Sequence, residues 1–206
     1  MNRLTKLDKL NGIFTYVLFL LVFWYVTWTL SGTSVDGNLL DGIRNQWYFT
    51  NQSNTIVLIT VVLYWARYDN KPWFTYLASI ALVNIIITAS GFHFILAPDN
   101  IDFMGHLSHT IVPILYVLWY FIAIRNVVPL KQFWINVIYP MVYLGLVLIL
   151  RTFPLGEYPY GFLNVDEFGL SNVLQFTILV LFPIYTVVAF VFTYLKHVFE
   201  KKYFLR

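Results

Sequence analysis

Six apolar runs of 18 residues or more take up most of the chain, and no charged residue lies in the middle of any of them. They cover roughly 13–30, 47–65, 73–96, 106–124, 133–150 and 173–195. A helix needs ~20 apolar residues to cross a hydrocarbon core of ~30 Å, so each run can span a bilayer. Composition agrees: 59% of the 206 residues are hydrophobic and 11% are charged, against ~25% charged in soluble domains. The expected fold is all-α: a polytopic membrane protein with six transmembrane helices in one bundle, forming a single domain over residues 1–206. No repeat, low-complexity tract or soluble domain interrupts it. There is no cysteine, which excludes disulfides and thiolate chemistry. No A-x-A-like site follows the first run, so no cleavable signal peptide is expected.

The basic residues predict an orientation. Three lie in the N-terminal segment (Arg3, Lys6, Lys9) and two in the turn after the second run (Arg67, Lys71). Two more follow the fourth run (Arg125, Lys131), and four close the chain (Lys196, Lys201, Lys202, Arg206). Eleven of the 13 therefore fall on one side, and the opposite loops hold only Arg44 and Arg151. The positive-inside rule then puts both termini in the cytoplasm and the long loops outside, in a multi-pass protein of the cell membrane. Trp47, Tyr48, Trp65, Trp73 and Trp134 stand near predicted helix ends, as interfacial anchors do. The net charge of +3 thus reflects topology. The partner it implies is the lipid bilayer, with no nucleic acid.

Two helix mouths carry the polar chemistry. The second run opens with Thr50-Asn51-Gln52-Ser53-Asn54-Thr55, and the fourth with His106-Leu107-Ser108-His109-Thr110. Residues three and four apart share a helix face, so Thr50, Ser53 and Asn54 form one stripe and His106, His109, Thr110 and Pro113 another. Both helices enter from the predicted outer face. At ~1.5 Å per residue Thr50 and His109 sit at similar depth, about one turn inside. A threonine hydroxyl becomes a useful nucleophile when a base takes its proton, and histidine is the commonest such base. Asn51 or Asn54 can donate to an oxyanion. The same residue types also bond transmembrane helices to one another, and the sequence leaves both uses open. Whether the two helices are neighbours does not follow from the sequence. Pro140 falls inside the fifth run and is expected to kink it.

Three short motifs occur in order: Tyr-Phe-Thr-Asn-Gln-Ser-Asn at 48–54, His-x-x-His-Thr at 106–110 with Pro113 nearby, and Tyr-Pro-Tyr-Gly-Phe-Leu at 158–163. Their order and spacing resemble the family of the androgen-induced gene protein and the androgen-dependent TFPI-regulating protein, and this chain is similar to its bacterial-type members. The resemblance runs from the second helix to the fifth loop. It implies a membrane-embedded threonine hydrolase acting on fatty acid esters of hydroxy fatty acids. Carried over by motif, its threonine falls on Thr50 and its histidine on His109. The chain departs from the animal members in the polar residues Asn51, Gln52, Ser53 and Asn54 after the threonine, and in a proline one position earlier, at Pro113. A more polar pocket wall points to a different lipid ester.

The expected function is therefore an integral membrane hydrolase of lipid acyl esters, with Thr50 as nucleophile and His109 as general base. His106, Asn51, Ser53 and Asn54 are expected to orient groups or stabilise charge. No cofactor is expected, and the substrate is a membrane lipid or fatty-acid ester. Asp102, Asp166 and Glu167 are open as a third catalytic member. An alternative is a zinc-dependent hydrolase using His93, His106 and His109, though an i,i+3 pair is looser evidence than HExxH. A non-enzymatic transporter or interaction protein is the third reading; the lack of mid-span charges counts against ion-coupled transport. An ester hydrolase also needs an apolar cavity with a small polar end. That cavity is expected to open toward the outer leaflet, walled by the second to fourth helices and closed by the Tyr158–Phe168 loop.

Overall fold

The computed structural model describes residues 3–32, 39–96 and 99–203, with side chains from Asn11 onward. Of the residues used to predict orientation, the side chains of Arg3, Lys6 and Lys9 and the whole of Arg206 lie outside this set. Among the described residues every regular element is helical. The helices are α1 (Arg3–Leu30), α2 (Leu39–Asn45), α3 (Phe49–Trp65), α4 (Pro72–Leu96), α5 (Phe103–Ala123), α6 (Ile135–Leu150), α7 (Val165–Phe168) and α8 (Leu170–Tyr203). The six apolar runs each fall on a helix. Their ends follow local chemistry. Pro72 opens α4, where its missing N–H costs nothing. Asp102 caps α5 by accepting from the Gly105 N–H at 2.7 Å. Asn164 caps α7 through the Asp166 and Glu167 amides.

Among the described residues, five helical segments are long and apolar enough to cross a membrane: Asn11–Leu30, Pro72–Leu96, Phe103–Ala123, Leu130–Leu150 and Leu170–Tyr203. The second run behaves differently. Its helix, α3, has 17 residues, which at ~1.5 Å each gives a rod shorter than a ~30 Å hydrocarbon core. Its first two turns are also the polar ones.

Helix α4 sits at the centre, packed against α3, α5, α6 and α8, while α1 covers α3 and α5. Small residues on α4, namely Ala78, Ser79 and Ala81, are buried and let its neighbours approach closely. One apolar cluster joins α1, α3, α4 and α5 through Leu18, Val22, Val61, Leu82 and Trp119. The other joins the start of α3 to the far half of α4, α6 and α8 through Phe49, Ile87, Leu144 and Leu181. Two hydrogen bonds fix α5 in place: Tyr116 Oη to the Ala78 carbonyl at 3.0 Å, and Trp119 Nε1 to Thr15 Oγ1 at 2.8 Å. Ile114, Ile149, Leu179 and Val187 are among the large apolar side chains exposed on the outside, as a lipid-facing surface requires.

Lys196, counted above with the basic tail, is instead 1% exposed. Its ammonium pairs with Glu200 at 2.6 Å and donates to the Phe121 and Ile124 carbonyls at the C-terminal end of α5. The free carbonyls of a helix end attract a cation, which explains why a lysine leaves the surface here.

Candidate active site

Thr50 is the second residue of α3, just after Tyr48, whose extended backbone turns the chain into the helix. His109 lies across from it on α5. The two helices are close enough at these mouths for Thr50 Oγ1 and His109 Nε2 to stand 3.1 Å apart, so 59 residues of sequence separation collapse into one hydrogen bond.

The direction of that bond follows from the other ring nitrogen. His109 Nδ1 is 3.0 Å from the Gly105 carbonyl and 2.9 Å from Ser108 Oγ. A carbonyl can only accept, so Nδ1 carries the ring proton. Ser108 donates its own proton to the Met104 carbonyl at 2.9 Å and is left to accept. In the neutral imidazole Nε2 is then a bare lone pair, and the Thr50 hydroxyl donates to it. This is the arrangement a general base needs. The Phe92 ring stacks on the imidazole with centroids 3.7 Å apart and planes 12° from parallel, which holds its tilt.

Two π-turns bring these groups together. Gly91–Leu96 ends α4 and carries Phe92, while Leu107–Ile111 carries His109. Turns with i→i+5 bonding recur at functional sites because they re-aim side chains. His93 Nε2 and Thr110 Oγ1, 2.9 Å apart, tie the two segments to each other. A Cβ at Gly105 would come within 2.9 Å of Ile101 Cγ2 and 3.0 Å of Asp102 Oδ1, the atom that caps the helix, so a larger residue there would have to displace one of these side chains.

A loop residue completes the polar cluster. Tyr160 Oη accepts from the Thr50 N–H at 3.4 Å. Burial pushes the Tyr160 phenol above its ordinary range, so it keeps its proton.

Thr50, His109 and Tyr160 form the polar end of a cavity of about 190 Å³. The rest of its wall is largely apolar, with Phe49, Ile87, Phe92, Pro140, Leu144, Leu163 and Leu181. Its lining also includes Phe94, which is 84% exposed, and Ile184, which is 43% exposed; these mark its opening on the outer surface of the bundle. The expected walls are partly corrected. The loop closes the cavity through Tyr160–Leu163, but α6 and α8 supply walls that were expected from α5, and α5 contributes only His109.

The structure places the four supporting candidates outside the cavity. Asn51 accepts from Tyr25 Oη at 2.6 Å and donates to the Asn45 carbonyl at 2.6 Å, so it fastens α3 to α1 and α2. Ser53 is fully buried and donates to the Phe49 carbonyl at 2.7 Å. Asn54 donates to the Thr50 carbonyl at 2.9 Å and reaches the Ser108 carbonyl at 3.5 Å, linking α3 to α5 behind the pair. His106 is exposed. The wide turn at 107–111 spreads residues that an α-helix would align, so it parts from His109. None of these four lines the cavity.

The open carboxylates are committed elsewhere. Asp102 caps α5, Asp166 binds Arg151 and Tyr158 at 3.1 Å each, and Glu167 accepts from Asn164. The Gly105 carbonyl takes the third place beside His109. The zinc set is not assembled either: His93 pairs with Thr110, His106 is exposed, and both nitrogens of His109 are engaged. Among the described residues no three His, Asp or Glu gather as metal ligands would. Phe92, Gly105, Ser108 and Tyr160 were not expected at the site. Only Tyr160 had a sequence signal, in the Tyr-Pro-Tyr-Gly-Phe-Leu motif. No protein-family profile, curated protein or solved structure matches the chain.

Proposed function

We propose that the chain is a membrane-embedded hydrolase of lipid acyl esters, with Thr50 as nucleophile and His109 as general base. The observation that carries this reading is the Thr50–His109 hydrogen bond at the polar end of an apolar cavity. In the reaction, Nε2 takes the hydroxyl proton as Oγ1 bonds to the ester carbonyl carbon. The tetrahedral intermediate then collapses, and Nε2–H protonates the departing alcohol. Water, deprotonated by the same nitrogen, cleaves the acyl-threonine and releases the fatty acid. The Gly105 carbonyl holds the ring in the correct tautomer throughout, a task that a carboxylate performs in serine triads. The resemblance to the androgen-induced gene protein family supports the same pair of residues.

The cavity gives a test that leaves the dyad untouched. Gly91 lines it in ordinary right-handed helical backbone, and a Cβ there meets nothing within 4 Å. Gly91→Leu should fit without strain and hold or raise the Tm, since glycine is a poor helix former. The leucine then occupies the space of the substrate chain. Displacing two methylenes forfeits ~1.6 kcal/mol, so kcat/KM for a long-chain ester should fall about tenfold or more. Fatty-acid release from the purified protein in detergent measures this. An undiminished rate in a stably folded Gly91→Leu protein counts against the cavity as the substrate site.

We also read α3 as a sixth crossing, its polar start sheltered by the neighbouring helices α1 and α4. Five crossings would place the termini on opposite sides and divide the basic residues between them. Six keep both termini in the cytoplasm, in accord with the charge distribution. Alkaline phosphatase fused after Asp166 should be active and the same enzyme fused after Arg206 inactive; the reverse pattern defeats this topology.

A further inference from the structure

Threonine attack on an ester moves an electron pair onto the carbonyl oxygen, and the reaction is fast only where donors are aimed at that oxygen. Phe49 and Thr50, the first two residues of α3, have no preceding helical carbonyl for their amides to bond. One of them, the Thr50 N–H, points at Tyr160 Oη from 3.4 Å, a long bond that a better acceptor can replace. Tyr160 accepts in that bond, and its hydroxyl, which also meets the Thr50 side chain, stands where its own O–H can turn to an oxygen bound beside Thr50. Its ring is stacked on Phe162 at 5.5 Å and meets Tyr48 edge-on at 6.2 Å, which fixes the hydroxyl in place.

A second hydroxyl makes an independent case. Tyr143 lines the same cavity, is 5% exposed, and packs against Phe49 at the start of α3 with ring centroids 5.1 Å apart. Its hydroxyl makes no hydrogen bond of ordinary geometry among the described residues; the Phe49 backbone approaches it, which leaves its own O–H without an acceptor. Buried tyrosines ordinarily find one, and an orphaned hydroxyl is costly. A ligand oxygen bound in the cavity supplies the missing partner.

We infer that the Tyr160 and Tyr143 hydroxyls, with the Thr50 amide, form the site that takes the carbonyl oxygen of the ester and stabilises its negative charge. This rests on the threonine-hydrolase reading and adds two catalytic residues to it. A long-chain alkyl trifluoromethyl ketone tests it by binding alone. Thr50 Oγ1 adds to the ketone carbon, the carbonyl π bond opens, the proton passes to His109 Nε2, and the former carbonyl oxygen becomes the anion. The matching trifluoromethyl alcohol fills the cavity but cannot form the adduct. Wild-type protein should bind the ketone far more tightly than the alcohol. Tyr160→Phe and Tyr143→Phe should each reduce that preference about 100-fold, with alcohol affinity kept. The ratio is internal to each variant, so partial damage to packing cancels. An unchanged ratio in either variant overturns the two-donor assignment and leaves the dyad standing. A wild-type protein with no preference for the ketone defeats both the dyad and this inference.

Discussion

Thr50→Ala is expected to remove hydrolysis of any lipid ester that the wild-type protein cleaves, with a fall in kcat of about 10³-fold or more. The alanine keeps the helix start and loses the hydroxyl that donates to His109, together with one methyl group. His109→Ala should cost as much, because Thr50 is then left without a base. The two act as one unit, so the double variant should be little worse than either single one. Thr50→Ser retains the nucleophile and should keep part of the activity. His106→Ala should stay near wild type, because that side chain is exposed and does not line the cavity. Chelators should have no effect on a proton-transfer dyad. Near-full activity in Thr50→Ala, measured by fatty-acid release, would show that the threonine is not the nucleophile.

The largest effect on stability is expected at Lys196. Its side chain is 1% exposed and that of Glu200 6%. Lys196→Ala leaves a buried carboxylate without its partner and uncovers the Phe121 and Ile124 carbonyls. Breaking a buried pair on one side costs ~3–5 kcal/mol, far more than the pair's net worth. For a chain of this size that corresponds to a fall of roughly 10 °C in Tm. Removing both charges with Lys196→Met and Glu200→Leu should recover most of the loss, because well-packed apolar groups replace such pairs at little cost. Thermal denaturation in detergent measures both. A Lys196→Ala protein as stable as wild type would mean that the pair does not hold the end of α5.

Much of the fold was legible because a bilayer leaves few choices: long uncharged runs become helices, although α5 begins at Phe103, three residues ahead of the run read from His106. Thr50 and His109 were legible as polar groups at similar depth on two helices. Their contact was not, since nothing local in either segment encodes the approach of α3 to α5. The π-turn at 107–111 was also hidden, because no residue pattern there marks i→i+5 bonding, and it is what separates His106 from His109. The third member beside His109 is a backbone carbonyl, which leaves no trace in the identity of a residue. Tyr160 arrives from a loop 110 residues from Thr50. Lys196 read as one more tail cation because its partner, the end of α5, lies some 70 residues away.

The central claim is that Thr50 becomes covalently acylated with His109 as its base. Its most direct test is to label the purified protein with a long-chain alkyl fluorophosphonate and locate the adduct by peptide mass spectrometry. The expected result is a single adduct on Thr50, formed in step with loss of ester hydrolysis and missing from His109→Ala. Wild-type protein that hydrolyses the ester but carries its adduct on another residue, such as Ser53, would contradict the account.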